Sequence, residues 1–205
     1  MSAAEARREL GVAGDGTWIG TAGVIAKFKG ADLFLQAYRL RRERGDLPPA
    51  RALLAGPHMP EIRELLGQSP FREWVADGSI VSVDRYLSEH EMYAAAAAVD
   101  LVVAAYPQHQ NRSSIILWAA AAGRPCLGSD ESCVGYVIRH ERLGSTCHVQ
   151  EPMLLSHAFS EALAKPWTPD DAARVRKYAE FHRMENYQEI ASSLVRLQLA
   201  ASKTC

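Results

Sequence analysis

The stretch from Trp18 to Leu40 does most to restrict the fold this chain can adopt. An apolar run, Trp18 to Ile25, passes through Gly20 and Gly23 and enters a basic turn holding Lys27, Lys29 and Gly30. Beyond it Leu33, Phe34, Ala37 and Leu40 recur at helical spacing. The order is strand, tight turn, helix start, an arrangement that presents backbone N–H groups and an ammonium to a phosphate. A glycine-bearing strand–helix turn is also a common plain connection, so the stretch constrains fold before function. A second strand-to-helix turn, Tyr106 to Leu117, is suited to the other side of the same ligand.

The pattern repeats along the chain. Short apolar segments that do not alternate with polar residues occur at Thr17–Ala26, Arg51–Ala55, Ile80–Val83, Leu101–Tyr106, Pro125–Gly128 and Ser145–Val149. Between them lie helical patterns over Ala31–Arg44, Pro60–Ala76, Ser88–Ala98, Ser114–Ala122 and Ser132–His140. Unalternated strands are expected where helices cover both faces of a parallel sheet. The fold class is therefore α/β, a doubly wound, Rossmann-like parallel sheet of about six strands. The last third reads as helices only, over Pro152–Ala164, Pro169–Ala179 and Glu185–Ala201. The final one carries a stripe of Tyr187, Ile190, Leu194 and Leu197.

Composition closes off several classes. With 205 residues, 48% of them hydrophobic, the chain supports one sizeable core and reads as a single domain over residues 1–205. A formal net charge of −1 argues against nucleic acid as the partner. No apolar run approaches the ~20 residues that span a bilayer. The leading MSAAEARREL lacks the apolar centre of a secretory signal and reads as an exposed amphipathic helix. Cys126, Cys133, Cys147 and Cys205 form no CxxC pair, so zinc and redox dithiols are disfavoured and a reducing cytoplasm is the expected compartment.

Taken in order, the segments resemble the C-terminal, nucleotide-sugar-binding half of a GT-B glycosyltransferase, specifically the large family 4 of retaining enzymes. The resemblance rests on GVIAKFKGADLFLQA (Gly23 to Ala37), ARALLAGP (Ala50 to Pro57) and VSVDRYLSEHEMYAAAAAVDLVVAAYP (Val81 to Pro107). It continues through SSIILWAAAAGRPCLGSDESCVGYVI (Ser113 to Ile138) and FHRMENYQEIASSL (Phe181 to Leu194), covering about Leu10 to Leu199. Each block is loose alone; five in the right order are specific.

The resemblance implies retaining transfer from a nucleoside-diphosphate sugar, with no metal or other cofactor. It implies donor contacts at Gly23, Lys27, Lys29, Gly56, Tyr86, Leu87, His109, Gln110, Ser113, Ser114, Ile115 and Trp118. Lys29 matches the family's diphosphate lysine, whereas Val24 stands where relatives carry an arginine. The family's E-x7-E pair aligns with Gln110 and Trp118. An indole has only a donor and cannot accept from the ribose diol. Catalytic residues are consequently unassigned. Ser113 and Ser114 also read as helix N-caps, and Gly56-Pro57 as an ordinary turn. Arg85 occupies a usual glycine near the base, and Asp130 and Glu131 face the same cleft or cap a helix.

A GT-B enzyme binds its acceptor on a second, N-terminal domain, which this sequence does not contain. The domain is expected in cis in a longer protein or from another chain. Peripheral membrane association is expected only through it. Two readings compete: the donor-binding half of a working glycosyltransferase, and a non-catalytic binding domain derived from one. A response-regulator-like fold is disfavoured because no acidic cluster follows the first strand.

Overall fold

The computed structural model describes residues 1–45, 49–107 and 113–183, with residues 185, 186, 188, 192 and 193. Six parallel strands form one sheet in the order β3-β2-β1-β4-β5-β6. They are β1 (Thr17–Ala22), β2 (Ala50–Ala55), β3 (Ile80–Val83), β4 (Leu101–Ala104), β5 (Cys126–Ser129) and β6 (Gly144–Cys147).

Neighbouring strand residues feed two separate cores. Trp18, Leu53, Val102 and Cys126 belong to one, together with Ala94–Ala98 of the helix α5 (Glu89–Ala97) and its end. Ile19, Leu54, Val103 and Leu127 belong to the other, together with Phe34 and Leu35 of α2 (Ala31–Arg44). Both sides of the sheet are covered, which is why its strands lack polar alternation. Alanines in α5 bring that helix close to β1, where a side chain on Gly20 would meet Val99 at 2.9 Å. On the first face α6 (Ser114–Ala122), α7 (Ser132–His140) and α9 (Pro169–Phe181) complete the cover. On the second, α8 (Pro152–Ala164) packs on α2 through Phe34 and Phe159, whose ring centroids lie 5.6 Å apart.

Several boundaries differ from the sequence reading. The first strand ends at Ala22 rather than Ala26, because Gly23 turns at φ 107 and only Ile25 rejoins the sheet, bridging His58. The fourth ends at Ala104, two residues early. The helix expected over Pro60–Ala76 is two, α3 (Pro60–Leu66) and α4 (Phe71–Ala76). Gly67 closes the first, and Pro70, which has no N–H to donate, heads the second. The leading helix α1 (Ala3–Glu9) is not merely a surface element: its Ala6, with Leu10 and Val12 just beyond its end, is buried against the first core. The final apolar stripe over residues 187–197 lies outside the described residues. Among the described residues, no helix is long and apolar enough to cross a membrane.

Candidate functional site

All strands point the same way, and the order reverses between β1 and β4. Open α/β sheets bind ligands at such a switch point, outside the carboxyl ends of the strands. Two turns meet there. After β1 comes Gly23, whose Cα faces open space: a side-chain carbon added to it would meet nothing within 4 Å. The 3₁₀ turn Lys27–Lys29 follows, and Gly30 leads into α2 with a left-handed backbone at φ 71. A side-chain carbon on Gly30 would lie 1.7 Å from the carbonyl oxygen of Ala105, so only glycine lets this turn press against the end of β4. Gly56 is fixed in the same way, with φ 129 and the Gly23 carbonyl 1.9 Å from any added carbon. The Gly23 N–H donates to Ala55 and the Gly56 N–H to Val83, so the turns after β1 and β2 form one rigid lip.

Lys29 occupies the junction. Its ammonium lies 4.6 Å from the centroid of the Tyr106 ring, just beyond β4, and 5.9 Å from that of Phe28. It has no ion-pair partner among the described residues. Partial burial pulls its pKa below the ordinary lysine value. An uncompensated, partly desolvated cation held over an aromatic face is well suited to an anion. Lys27 is exposed beside it. Val24 is also exposed and brings no charge.

The second turn supplies the facing wall. Ser113 occupies the N-cap position of α6 but makes no cap; its hydroxyl donates to the Tyr106 hydroxyl at 2.9 Å. Burial pushes Tyr106 up to about 12, so it stays a neutral phenol. With Ser113 turned aside, the N–H groups at the start of α6, around Ser114 and Ile115, have no side-chain acceptor among the described residues. They carry the positive end of the helix dipole. Trp118 is half-buried against the first core and lines an open groove of about 760 Å³ with Glu89, His90, Tyr93 and Ser114. Leu87 packs half-buried on the same core, while Tyr86 is 84% exposed. Arg85 is turned away to Glu91, a 2.5 Å ion pair at the start of α5. His109 and Gln110 lie outside the described residues.

The structure adds a residue that sequence reading missed. His58 is 3% exposed, and its Nδ1 lies 2.7 Å from the Gly56 carbonyl, which can only accept. Nδ1 therefore carries the proton, and Nε2, 3.0 Å away, accepts from the Ser82 hydroxyl. Burial lowers its pKa, consistent with this neutral tautomer. Its backbone N–H donates to Asp84, which Arg63 grips through two hydrogen bonds and holds at about 2. A histidine after Gly-Pro carried no spacing signal; its partners come from β3, far along the chain. Asp130 and Glu131 do not cap α7; each has a carboxylate oxygen 3.7 Å from His148 Nδ1. The three offer ligand atoms within 4.8 Å of one another, the group with metal-like spacing among the described residues.

A cleft holding a lysine and a helix start at the switch point of a six-stranded parallel sheet is the arrangement of the doubly wound α/β class. Residues 16–165 match the family model for glycosyl transferases group 1, and the chain belongs to that family. Solved structures agree on the fold. Sucrose-phosphate synthase from Thermosynechococcus elongatus superposes with a TM-score of 0.67 at 19% identity, over 98% of this chain and 49% of that one. Anabaena HepE in complex with UDP and glucose gives 0.71 at 18% identity, over 95% and 52%. The C-terminal domain of a glycosyl transferase group 1 family protein, LpcC from Francisella tularensis, gives 0.62 at 17%, over 85% and 87%. The fold is thus that of a C-terminal-like GT-B domain, and the chain spans about half the length of the first two of these relatives. No curated protein matches it in sequence.

Proposed function

We propose that this chain is the donor-binding half of a retaining glycosyltransferase and binds a nucleoside-diphosphate sugar. The diphosphate would lie between the Gly23–Gly30 turn and the start of α6 at Ser113–Ile115. The acceptor would be held by a separate N-terminal domain, in the same protein or another chain. One observation carries the reading: the unpaired ammonium of Lys29 over Tyr106, at the switch point of the sheet. That a relative of this fold is a complex with UDP and glucose supports it. As the glycosidic bond breaks, negative charge grows on the departing diphosphate. A preorganised cation and helix-start N–H groups stabilise that charge without reorganising.

A second reading, a non-catalytic domain derived from a glycosyltransferase, is favoured by Val24 and Trp118. These put an exposed apolar side chain and an indole where the family uses a guanidinium and a carboxylate. Calorimetric titration with uridine and guanosine diphosphates decides between them. Wild type should bind one or both, and Trp118→Glu, which restores an acceptor for the ribose diol, should bind tighter. Absence of binding in both proteins would favour the second reading.

A further inference from the structure

A second charged cavity lies at the amino end of β6, built from the ends of α7 and α8 and the start of α9. It measures about 450 Å³ and is lined by Arg139, Arg142, Lys165, Arg174, Trp167 and Asp171, among others. Four cations meet one carboxylate there. Asp171 is already committed: Arg174 Nη1 donates to it at 2.6 Å and the Thr168 hydroxyl at 2.8 Å. Among the described residues Arg139, Arg142 and Lys165 have no ion-pair partner. Arg139 donates only to neutral oxygens, the Asp130 carbonyl at 2.8 Å and the Thr146 hydroxyl at 3.4 Å. The carboxyl ends of α7 and α8 attract cations, but each presents only about half a negative charge. Three uncompensated cations exceed that.

Arg142 is the more telling member. It is the sole non-glycine with positive φ among the described residues, at 54°. It sits just past α7 in a Schellman end, where the Arg142 N–H donates to Arg139 and the Leu143 N–H to Ile138. Glycine is the usual residue for a left-handed helix end, and this chain uses it after α2 (Gly45) and after α6 (Gly123). An arginine in that conformation is strained, and such outliers persist where the side chain is needed. The Arg142 carbonyl accepts from Arg174 at 3.1 Å, which fixes the turn. Trp167 provides an apolar wall: its indole N–H donates to Gly123 at 2.9 Å and its ring lies 5.9 Å from the Arg174 guanidinium. The Arg174 Nε–H is buried and has no acceptor among the described residues.

The geometry points to a binding site for a phosphate-type oxyanion in this cavity, held by Arg142, Lys165 and Arg139 against the Trp167 face. It is separate from the donor cleft and does not depend on the function proposed above. The oxyanion would come either from a free phosphorylated molecule or from an anionic lipid headgroup, which share this chemistry.

The test uses the full chain and the indole N–H resonance of Trp167, assigned by its loss in Trp167→Phe. Inorganic phosphate should shift that resonance. In the double variant Arg142→Gly, Lys165→Gln the half-saturating concentration should rise roughly tenfold or more, the scale of losing charge-assisted hydrogen bonds. Arg142→Gly relieves the left-handed backbone and Lys165 is exposed, so the variant keeps its fold. Lys29→Ala should leave the shift unchanged. Sedimentation with phosphatidylcholine vesicles, with and without phosphatidylglycerol, separates the sources. Binding to the anionic vesicles that the double variant loses assigns the lipid headgroup; a phosphate response without vesicle binding assigns the free ligand. If phosphate leaves Trp167 unmoved and vesicle binding is absent or survives in the double variant, the proposal fails. It fails equally if the double variant responds to phosphate as wild type does.

Discussion

Lys29 concentrates the donor reading in one side chain, and two measurements follow from its setting. Lys29→Ala should weaken diphosphate binding by about 1–3 kcal/mol, the range for removing a charge-assisted hydrogen bond from a partly buried site. Calorimetry on the variant checks this, and an unchanged Kd would remove Lys29 from the site. Because burial lowers its pKa from 10.5, the ammonium loses its proton at a lower pH than an exposed lysine. Affinity should therefore decline on the alkaline side earlier than an ordinary lysine would dictate. His58 makes a different prediction, about stability. The folded state prefers its neutral form, so its pKa is depressed relative to the unfolded chain. Below about 6.5 the unfolded chain takes up a proton that the folded chain resists, so the stability contribution is present above that pH and is lost as pH falls. Urea denaturation between about pH 7.5 and about pH 5 should show this fall for wild type and a shallower one for His58→Gln. Equal slopes would show that His58 does not titrate with unfolding.

At the scale of elements, the turn between β1 and α2 depends on backbone contact more than on side chains. Gly30→Ala would place its Cβ 1.7 Å from the Ala105 carbonyl in a left-handed backbone, so the turn must leave the end of β4. A loss of about 2–4 kcal/mol is expected, readable as a lowered Tm together with loss of nucleotide binding. A variant as stable as wild type would show that the two turns are not clamped there. This contact also marks the limit of what the sequence discloses. The order of strands and helices was legible because each element carries its own period, 2 or 3.6, or an unbroken apolar run. Gly23, Gly30 and Lys29 were legible as a phosphate-type turn because loop and helix start are adjacent in the chain. The early end of β1 was not, since Val24, Ile25 and Ala26 are as apolar as the strand before them. Nor was the break between α3 and α4 read from Gly67 and Pro70, although both are helix terminators. The His58–Ser82–Asp84 network and the Tyr106–Ser113 bond join residues whose proximity is created only by sheet order and by the close of the second turn.

For the molecule as a whole, binding a donor and transferring a sugar make separate demands on this α/β unit. It spans about half the length of the solved glycosyltransferase relatives named above, apart from the isolated LpcC domain. The proposed donor cleft sits at the carboxyl ends of the central strands β1 and β4. Transfer needs an acceptor hydroxyl held in line with the donor sugar and water kept out, and positioning of this kind contributes several kcal/mol or more. On the proposed donor reading, Val24 and Trp118 also stand where the resemblance expects a cation and a carboxylate, each worth about 3 kcal/mol of transition-state stabilisation. The expected outcome is a separation of binding from catalysis. Uridine or guanosine diphosphate should raise the Tm of the isolated chain in proportion to saturation, since a ligand that binds only the folded state stabilises it by mass action. The same chain, incubated with the matching sugar nucleotides and a panel of acceptors, should release no nucleoside diphosphate above the rate of spontaneous hydrolysis. Measurable transfer by the pure chain would mean that the cleft is complete as it stands. An unchanged Tm at saturating concentrations of both nucleotides, in wild type and in Trp118→Glu, would instead mean that the fold has kept the architecture of donor binding and lost its use.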